Sequence, residues 1–342
     1  MAILVTGGTG YIGSHTIIDL IENNDEVIIV DNLLNSCYEV LNRIELISSK
    51  KIKFYKVDLL NKCELEKIFK ENKINAVIHF AALKAVGESV ELPLKYYENN
   101  IVGTINLLQI MEKYNVKKFV FSSSATVYGE VEKMPIHENN KLAVTNPYGR
   151  TKLIVEDILR DIYNSDNSWG IVILRYFNPV GSHKSGIIGE DPKGVPNNLM
   201  PYITRVAIGK MEKLNVFGND YPTVDGTGVR DYIHVTDLAK GHIKALDKIR
   251  LNNGIFEYNL GTGEGYSVLQ LIDVFSKVNN VNINYEVIER REGDVAICYA
   301  DVEKARKELG WIAEKNIEDM CIDAWNWQTK NPNGYMESLK EK

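Results

Sequence analysis

The 342-residue chain has little of what marks several protein classes, and each shortage narrows its function. Its four cysteines, at positions 37, 63, 298 and 321, are too scattered for a zinc site and too few for a secreted disulfide scaffold. Such usage fits a reducing, cytoplasmic setting. No apolar run approaches the ~18 residues of a membrane span, and the first apolar stretch starts at once, which predicts no signal or transit peptide. The net charge of -6 lacks the basic footprint that nucleic acid demands. No internal repeat or low-complexity linker interrupts the chain. What is present is ordinary for a globular protein, 44% hydrophobic and 25% charged, in a length that suits two closely packed domains with a large core.

The most informative stretch is Ile3-Leu4-Val5-Thr6-Gly7-Gly8-Thr9-Gly10-Tyr11-Ile12-Gly13. An apolar run that stops at Gly7, Gly10 and Gly13 reads as a buried strand, a tight turn and the start of a helix over 11–22. Residues without a Cβ let backbone amides approach a phosphate, and the helix dipole aims at the same point. Glycine in such a turn also serves geometry alone, so the next strand matters. Glu26 to Val30 ends in Asp31, whose carboxylate can accept from both hydroxyls of an adenosine ribose and would repel a 2′-phosphate. The combination predicts NAD rather than NADP.

Strands are expected near 52–57, 76–81, 118–123 and 171–175, with helices at 62–71, 93–114 and 147–163 between them. This alternation predicts an α/β fold with a doubly wound parallel sheet, Rossmann-like, over residues 1–178. Ligands of such a sheet lie beyond the carboxyl ends of its strands, where Asp58-Leu59, Phe80-Ala81-Ala82, Ser122 to Ser124 and Tyr176 to Asn178 fall. From about 179 to 342 glycine, proline and asparagine become frequent, with 197–201 and 218–222 read as loops. This half is expected to be a smaller, loop-rich α/β substrate domain. Strands at 231–235 and 256–260 are expected to return to the large sheet. Gly261 to Gly265 resembles a second nucleotide turn, but its spacing is wrong, and Ser267 offers a plain N-cap for a helix over 268–277.

The candidate chemistry lies in Ser124, Tyr148 and Lys152. Four residues apart on a helix, tyrosine and lysine share a face, which keeps the ammonium near the phenol. A phenol of pKa near ~10 is a poor base at neutral pH, and nearby positive charge favours phenolate. Lys152 and an oxidised nicotinamide are expected to supply that charge, with Ser124 hydrogen-bonding the same substrate hydroxyl. Alone, Tyr-x-x-x-Lys is common by chance; behind a nucleotide-binding turn it points to proton transfer beside a hydride acceptor.

These motifs, together with Lys84 to Ser89 (Lys-Ala-Val-Gly-Glu-Ser) and Arg230 to Val235 (Arg-Asp-Tyr-Ile-His-Val), resemble the extended short-chain dehydrogenase/reductases, and among them the UDP-glucose 4-epimerase family. The resemblance covers nearly the whole chain. It implies interconversion of UDP-glucose and UDP-galactose, in galactose metabolism, through a 4-keto sugar with bound NAD. It implies cofactor contacts from Gly7, Gly10, Tyr11, Ile12, Gly13, Asp31, Asn32, Asn35 and Ser36 in the first two turns. Further contacts are implied from Asp58, Leu59, Phe80, Ala81, Ala82, Lys84, Asn99, Ser122, Tyr148, Lys152 and Phe177. For the UDP-hexose it implies Lys84, Ser124, Tyr148, Tyr176, Asn178, Asn198, Leu199, Asn215, Val216 and Phe217. Arg230, Tyr232, Val268, Arg291, Asp294 and Cys298 complete that set. No metal is implied, and a homodimer through the helices at 93–114 and 147–163 is.

Two rivals share the fold. Nucleotide-sugar dehydratases resemble this chain except for an acidic pair beside the catalytic serine or threonine, where Ala125 and Thr126 stand here. A nonenzymatic NAD-binding regulator would not need Ser124, Tyr148 and Lys152 intact. At Cys298, family members confined to plain hexoses resemble this chain but carry tyrosine. The smaller cysteine is expected to leave space for an N-acetyl group, so that UDP-N-acetylglucosamine and UDP-N-acetylgalactosamine are also interconverted. Tyr299 would fill the gap only if the strand register slipped by one.

Overall fold

In a computed structural model that describes residues 2–291 and 293–335, strands and helices alternate through the first half. The order is β1 (Ala2–Thr6), α1 (Tyr11–Glu22), β2 (Glu26–Asp31), α2 (Glu39–Ser48), β3 (Lys53–Lys56), α3 (Lys62–Glu71) and β4 (Ala76–His79). Then come α4 (Val86–Glu91), α5 (Pro93–Tyr97), a π-turn (Glu98–Val102), α6 (Gly103–Lys113), β5 (Lys118–Ser124), α7 (Pro147–Ser165) and β6 (Gly170–Tyr176). The second half holds β7 (Asn178–Val180), α8 (Leu199–Ala207), β8 (Leu214–Phe217), β9 (Val229–Arg230), β10 (Tyr232–His234), α9 (Val235–Leu251) and β11 (Gly254–Leu260). It ends with β12 (Tyr266–Ser267), α10 (Val268–Asn279), β13 (Tyr285–Ile288), β14 (Ile297–Cys298), α11 (Glu303–Leu309) and α12 (Ile317–Lys330).

Seven strands form one parallel sheet in the order β11-β6-β5-β4-β1-β2-β3. The order reverses between β1 and β4, which opens a crevice at their carboxyl ends. Side chains alternate across each strand, and both faces are buried. Ile3, Val5, Ile29 and Ile78 pack towards α1, α2 and α9, whereas Leu4, Ile28, Val77 and Phe119 pack towards α3, α6 and α7. The fold class read from the sequence is thus the observed one.

Several local expectations differ. The helix read over 93–114 is helical throughout but contains the π-turn at Glu98–Val102. The strand near 231–235 does not return to the large sheet; β10 pairs with β7 in a small sheet of its own, and only β11 rejoins, beside β6. Residues 197–201 are not all loop, because α8 starts at Leu199. Pro201 falls in its first turn, where a missing N–H costs nothing. The long α9 packs on α1 and on the sheet, although it lies in the part read as loop-rich. A second core of β8, α8, α10 and α12 residues, among them Ile203, Val216, Phe275 and Met320, stands beside the sheet.

Candidate active site

The glycine turn is built so closely that side chains do not fit. Gly7 has φ +68, and a Cβ there would sit 2.7 Å from the Ala81 amide nitrogen. A Cβ on Gly13 would sit 2.5 Å from the Gly7 carbonyl oxygen. α1 begins at N-cap Gly10 without a side-chain cap, so the amides of its first turn stay open to an anion. Asp31 is buried at the end of β2 and accepts from Thr9 N at 3.1 Å, Leu33 N at 2.8 Å and Ser36 Oγ at 3.1 Å. Asn32 donates to the Asp58 carboxylate at 2.9 Å, and Leu59 is buried next to it, so the loops after β2 and β3 meet. Asn35 is exposed on the rim. A cradle that a Cβ would fill, open helix amides and an acid at the end of β2 fit a dinucleotide.

The loop after β4 continues this wall. Phe80 packs on the buried His242 of α9, ring centroids 4.6 Å apart, and Ala81 lies over Gly7. Asn100 fixes the loop: its Oδ1 accepts from Leu83 N at 2.8 Å, and its Nδ2 donates to the Leu83 carbonyl at 3.0 Å. It sits in the π-turn with Asn99, whose amide bonds to it. Sequence reasoning missed Asn100, and the helical pattern gives no sign of a π-turn.

Ser124 ends β5, and the chain turns there at once. Its Oγ accepts from Thr126 N at 3.2 Å and from Thr126 Oγ1 at 3.0 Å. α7 begins at Pro147, with the Asn146 side chain accepting from Gly149 N at 2.8 Å. Because Gly149 has no side chain, α7 approaches the Thr126 carbonyl closely; a Cβ would lie 3.1 Å from it. This contact brings Tyr148 close to Ser124, whose hydroxyl favours the phenolate form. Ser89 of α4 accepts from the Tyr148 amide at 3.2 Å and fixes the helix start.

The electrostatics differ from expectation. Burial pushes the Tyr148 phenol up to about 12, with Ser124 opposing, and burial holds Lys152 down at about 7, with the Glu156 carboxylate opposing. The ammonium donates to the Ser122 carbonyl at 2.6 Å and lies 6.0 Å from the Tyr148 ring centroid. In the chain alone, desolvation therefore outweighs any depression of the phenol by lysine. One turn beyond Lys152, Glu156 is fully buried and accepts from Ser123 Oγ at 2.6 Å and from Arg175 Nη2 at 2.6 Å. That pair ties the ends of β5 and β6 together, and the Ser122 and Tyr176 hydroxyls meet between them.

The second half faces this site with fewer fixed groups. Phe177 is buried with Val127 and Tyr128, and Asn178 is exposed at the start of β7. Tyr11 donates to the Gly181 carbonyl at 2.7 Å, and Lys84 pairs with Glu190 at 3.1 Å, so two residues of the first half reach into the second. Asn198 and Leu199 open α8. Arg291 stacks on Phe217 with its guanidinium carbon 3.7 Å from the ring centroid. Arg290 is held instead by Tyr221 and by Asp220 at 2.6 Å. Arg230 lies 3.8 Å from Asp294. Val216 and Tyr232 have their side chains in the second core, while Asn215 and Val268 are half-buried at its edge. Cys298 pairs with Arg230 across β14 and β9 and packs by the Phe177 cluster, and burial pushes its thiol up to about 11. Tyr299 lies against Gly265, so the register leaves cysteine, not tyrosine, beside Arg230.

The turn at Gly261 to Gly265 is no second nucleotide site. The buried Asp231 carboxylate takes its amides, accepting from Thr262 N at 2.8 Å and Gly263 N at 3.0 Å. Ser267 caps α10 in a full capping box with Gln270. Among the described residues no group of three or more His, Cys, Asp and Glu side chains could hold a metal, and no helix is long and apolar enough to cross a membrane.

Comparison with known proteins agrees with this geometry. The family model described as GDP-mannose 4,6 dehydratase matches residues 4–324. UDP-glucose 4-epimerase of Bacillus subtilis is 59% identical over 98% of this chain and 99% of its own. The crystal structure of UDP-glucose 4-epimerase from Bifidobacterium longum, in complex with NAD+ and UDP, superposes with a TM-score of 0.95 at 55% identity, covering 98% of this chain and 100% of that one. The UDP-Glc/GlcNAc 4-epimerase of Campylobacter jejuni superposes with a TM-score of 0.84 at 37% identity, covering 96% of this chain and 99% of that one. With its glycine cradle, its Ser124, Tyr148 and Lys152 cluster and these full-length similarities, the chain belongs to the UDP-glucose 4-epimerase family of the extended short-chain dehydrogenase/reductases.

Proposed function

We propose that the chain interconverts UDP-glucose and UDP-galactose at C4, with Tyr148 as the proton-transfer group. The observation that carries the reading is that the buried Tyr148 phenol is influenced by Ser124, at the carboxyl end of β5, in a sheet whose first strand ends in a glycine turn that excludes side chains. The enzyme is an NAD-dependent isomerase. When bound, NAD supplies the hydride acceptor and, oxidised, a positive charge in this pocket. Tyr148 takes the proton of the sugar 4-hydroxyl as C4 gives up hydride, Ser124 orients that hydroxyl, and Lys152 adds its charge. Once the 4-keto sugar has turned about its diphosphate link to present its other face, Tyr148 would give the proton back. Gly7, Gly10 and Gly13 with the α1 amides would hold the pyrophosphate of NAD, and Asp31 would hold its adenosine ribose. Asn178, Asn198, Arg230 and Arg291 grip the UDP, where arginine forks match phosphate oxygens.

Residues 1–178, with the return segments near 228–262, serve as the NAD-binding domain, and 179–342 as the UDP-sugar domain. The protein works in the cytoplasm as a homodimer through α5, the π-turn, α6 and α7; Leu94 and Val102 are exposed there at 80% and 45%. The smaller residue at Cys298 also admits N-acetylhexosamines. A dehydratase is the second reading, favoured by the name of the matching family model. It lacks an acid and base here, since Ala125 and Thr126 follow Ser124 in a short 3-10 turn. Incubating the purified protein with UDP-galactose and no added cofactor tests the reaction and separates it from dehydration. UDP-glucose is the expected product; a dehydrated keto sugar, or no reaction, would overturn the proposal.

A further inference from the structure

Glu190 stands where the walls of the cleft meet, and nothing in the sequence points to it. Its Oε1 accepts from Lys84 Nζ at 3.1 Å and from Asn198 Nδ2 at 2.7 Å. Its charge also bears on the Tyr11 phenol at the start of α1. The Glu190 side chain is 9% exposed, against 60% for Lys84, so the carboxylate is the fixed member of the pair. Its loop is pinned from behind. Trp327 Nε1 donates to the Glu190 carbonyl at 3.2 Å, and the Tyr335 hydroxyl bonds both the carbonyl and the amide of Gly189, at 2.9 and 3.0 Å.

The bond to Asn198 has a cost elsewhere. Asn198 is the N-cap of α8, yet its side chain makes no cap hydrogen bond. At the other helices that begin on asparagine, Asn61, Asn146 and Asn316, the side chain accepts from the first turn. Asparagine prefers that role. Glu190 therefore draws the Asn198 amide away and leaves the first amides of α8 without a side-chain acceptor, the arrangement that suits an anion at a helix start. On the opposite wall it takes one of three donors of the Lys84 ammonium and leaves the others.

Resting on the function proposed above, we infer that Glu190 is a positioning residue of the nucleotide-sugar cleft: its carboxylate steadies Lys84 and keeps α8 uncapped, so that a cation and a set of helix amides are ready for a diphosphate. A neutral amide at this position would keep the bond to Asn198 and lose the ion pair. Alanine would lose both, and Asn198 would turn back to cap α8.

Titrating UDP into the NAD-loaded protein by calorimetry tests the inference. Glu190→Ala is expected to weaken UDP binding about tenfold and Glu190→Gln about threefold, with NAD content unchanged and Tm within about 2 °C of the parent. In an Asn198→Ala background, where no amide remains to cap α8, the effect of Glu190→Ala should shrink towards that of Glu190→Gln. A purely structural role would lower NAD content and Tm and leave no coupling to Asn198. UDP binding by Glu190→Ala within about twofold of the parent, or tighter, would overturn the inference, as would an equal loss in both backgrounds. A parent that bound no UDP would remove the function proposed above along with it; a parent that binds beside an indifferent Glu190→Ala removes this inference alone.

Discussion

On the function proposed above, the two halves of the molecule would recognise by different means. In the first, ligand-facing groups are mostly backbone, offered by tight geometry: the Gly7 turn, the uncapped α1 and the strand ends of one parallel sheet. In the second they are mostly long side chains held in pairs, such as Arg291 on Phe217, Arg230 near Asp294 and Glu190 with Lys84. Backbone recognition is rigid, because it moves only if the sheet moves. Side-chain recognition is adjustable, because each arginine or lysine keeps rotamer freedom that a ligand must remove. An epimerase needs both. Its cofactor stays in one pose through each cycle, while its keto sugar must turn over between two.

The largest expected effect breaks the first half's chemistry without touching its frame. Tyr148→Phe removes the phenol oxygen but keeps the ring packed at the start of α7, so turnover should fall by about two to four orders of magnitude with NAD still bound. Rates on UDP-galactose, together with the absorbance of extracted cofactor, check it. Activity within a fewfold of the parent would show that another group moves the proton.

Cys298→Tyr tests whether the second half sets substrate range through one side chain. Cys298 lies in register with Arg230 and next to the Phe177 cluster, where a phenol ring would occupy the volume of a sugar 2-substituent. The variant should lose turnover of the N-acetyl sugars and keep the plain pair within about threefold, since crowding a packed pocket costs about 1–3 kcal/mol or more for the larger ligand. Absence of N-acetylhexosamine turnover in the parent would reject the open-pocket reading outright.

A smaller change strikes the cradle itself. Gly13→Ala would put a methyl 2.5 Å from the Gly7 carbonyl oxygen and 2.9 Å from the Gly8 Cα, both backbone atoms with nowhere to yield. The expected loss is about 1–3 kcal/mol in NAD affinity, seen as a lower ratio of NAD to chain after purification. UDP binding to the same variant, reloaded with NAD, should be nearly unchanged. If both ligands weaken together, the halves do not recognise independently.

What the sequence could reveal follows the same division. Residues 11–22 and 62–71 are helical as read, because apolar periodicity and turn residues act locally. The cradle and the Tyr148 and Lys152 pair were legible for the same reason, since each depends on short spacing, whereas Ser124 was read from its place at the end of a strand. α9 was not, because its N-cap is His234, whose ring accepts from Thr236 N, and its start follows a strand with no intervening loop. Nor was the ion pair of Lys84 with Glu190, which spans 106 residues and exists only once the halves have docked. The raised phenol of Tyr148 was hidden too, because burial is a property of the whole fold and spacing reports only neighbours.

The smallest prediction asks whether open and closed helix starts differ in receiving an anion. α1 and α8 begin without side-chain caps, whereas α10 begins with a full capping box, in which Ser267 Oγ accepts from Gln270 N at 3.0 Å and Gln270 Oε1 accepts from Ser267 N at 2.9 Å. The Ser267 hydroxyl also donates to Asp225, which ties α10 to the loop before β9. If a capped helix start is closed to an anion, Ser267→Ala should cost about 1 kcal/mol of stability, in the usual range for a lost cap, and leave UDP affinity within about twofold. Urea unfolding of the NAD-loaded protein reads the first and calorimetry the second. A tenfold loss of UDP binding with unchanged stability would mean that the start of α10, next to Val268, belongs to the site after all, and the division between open and closed helix starts would not hold.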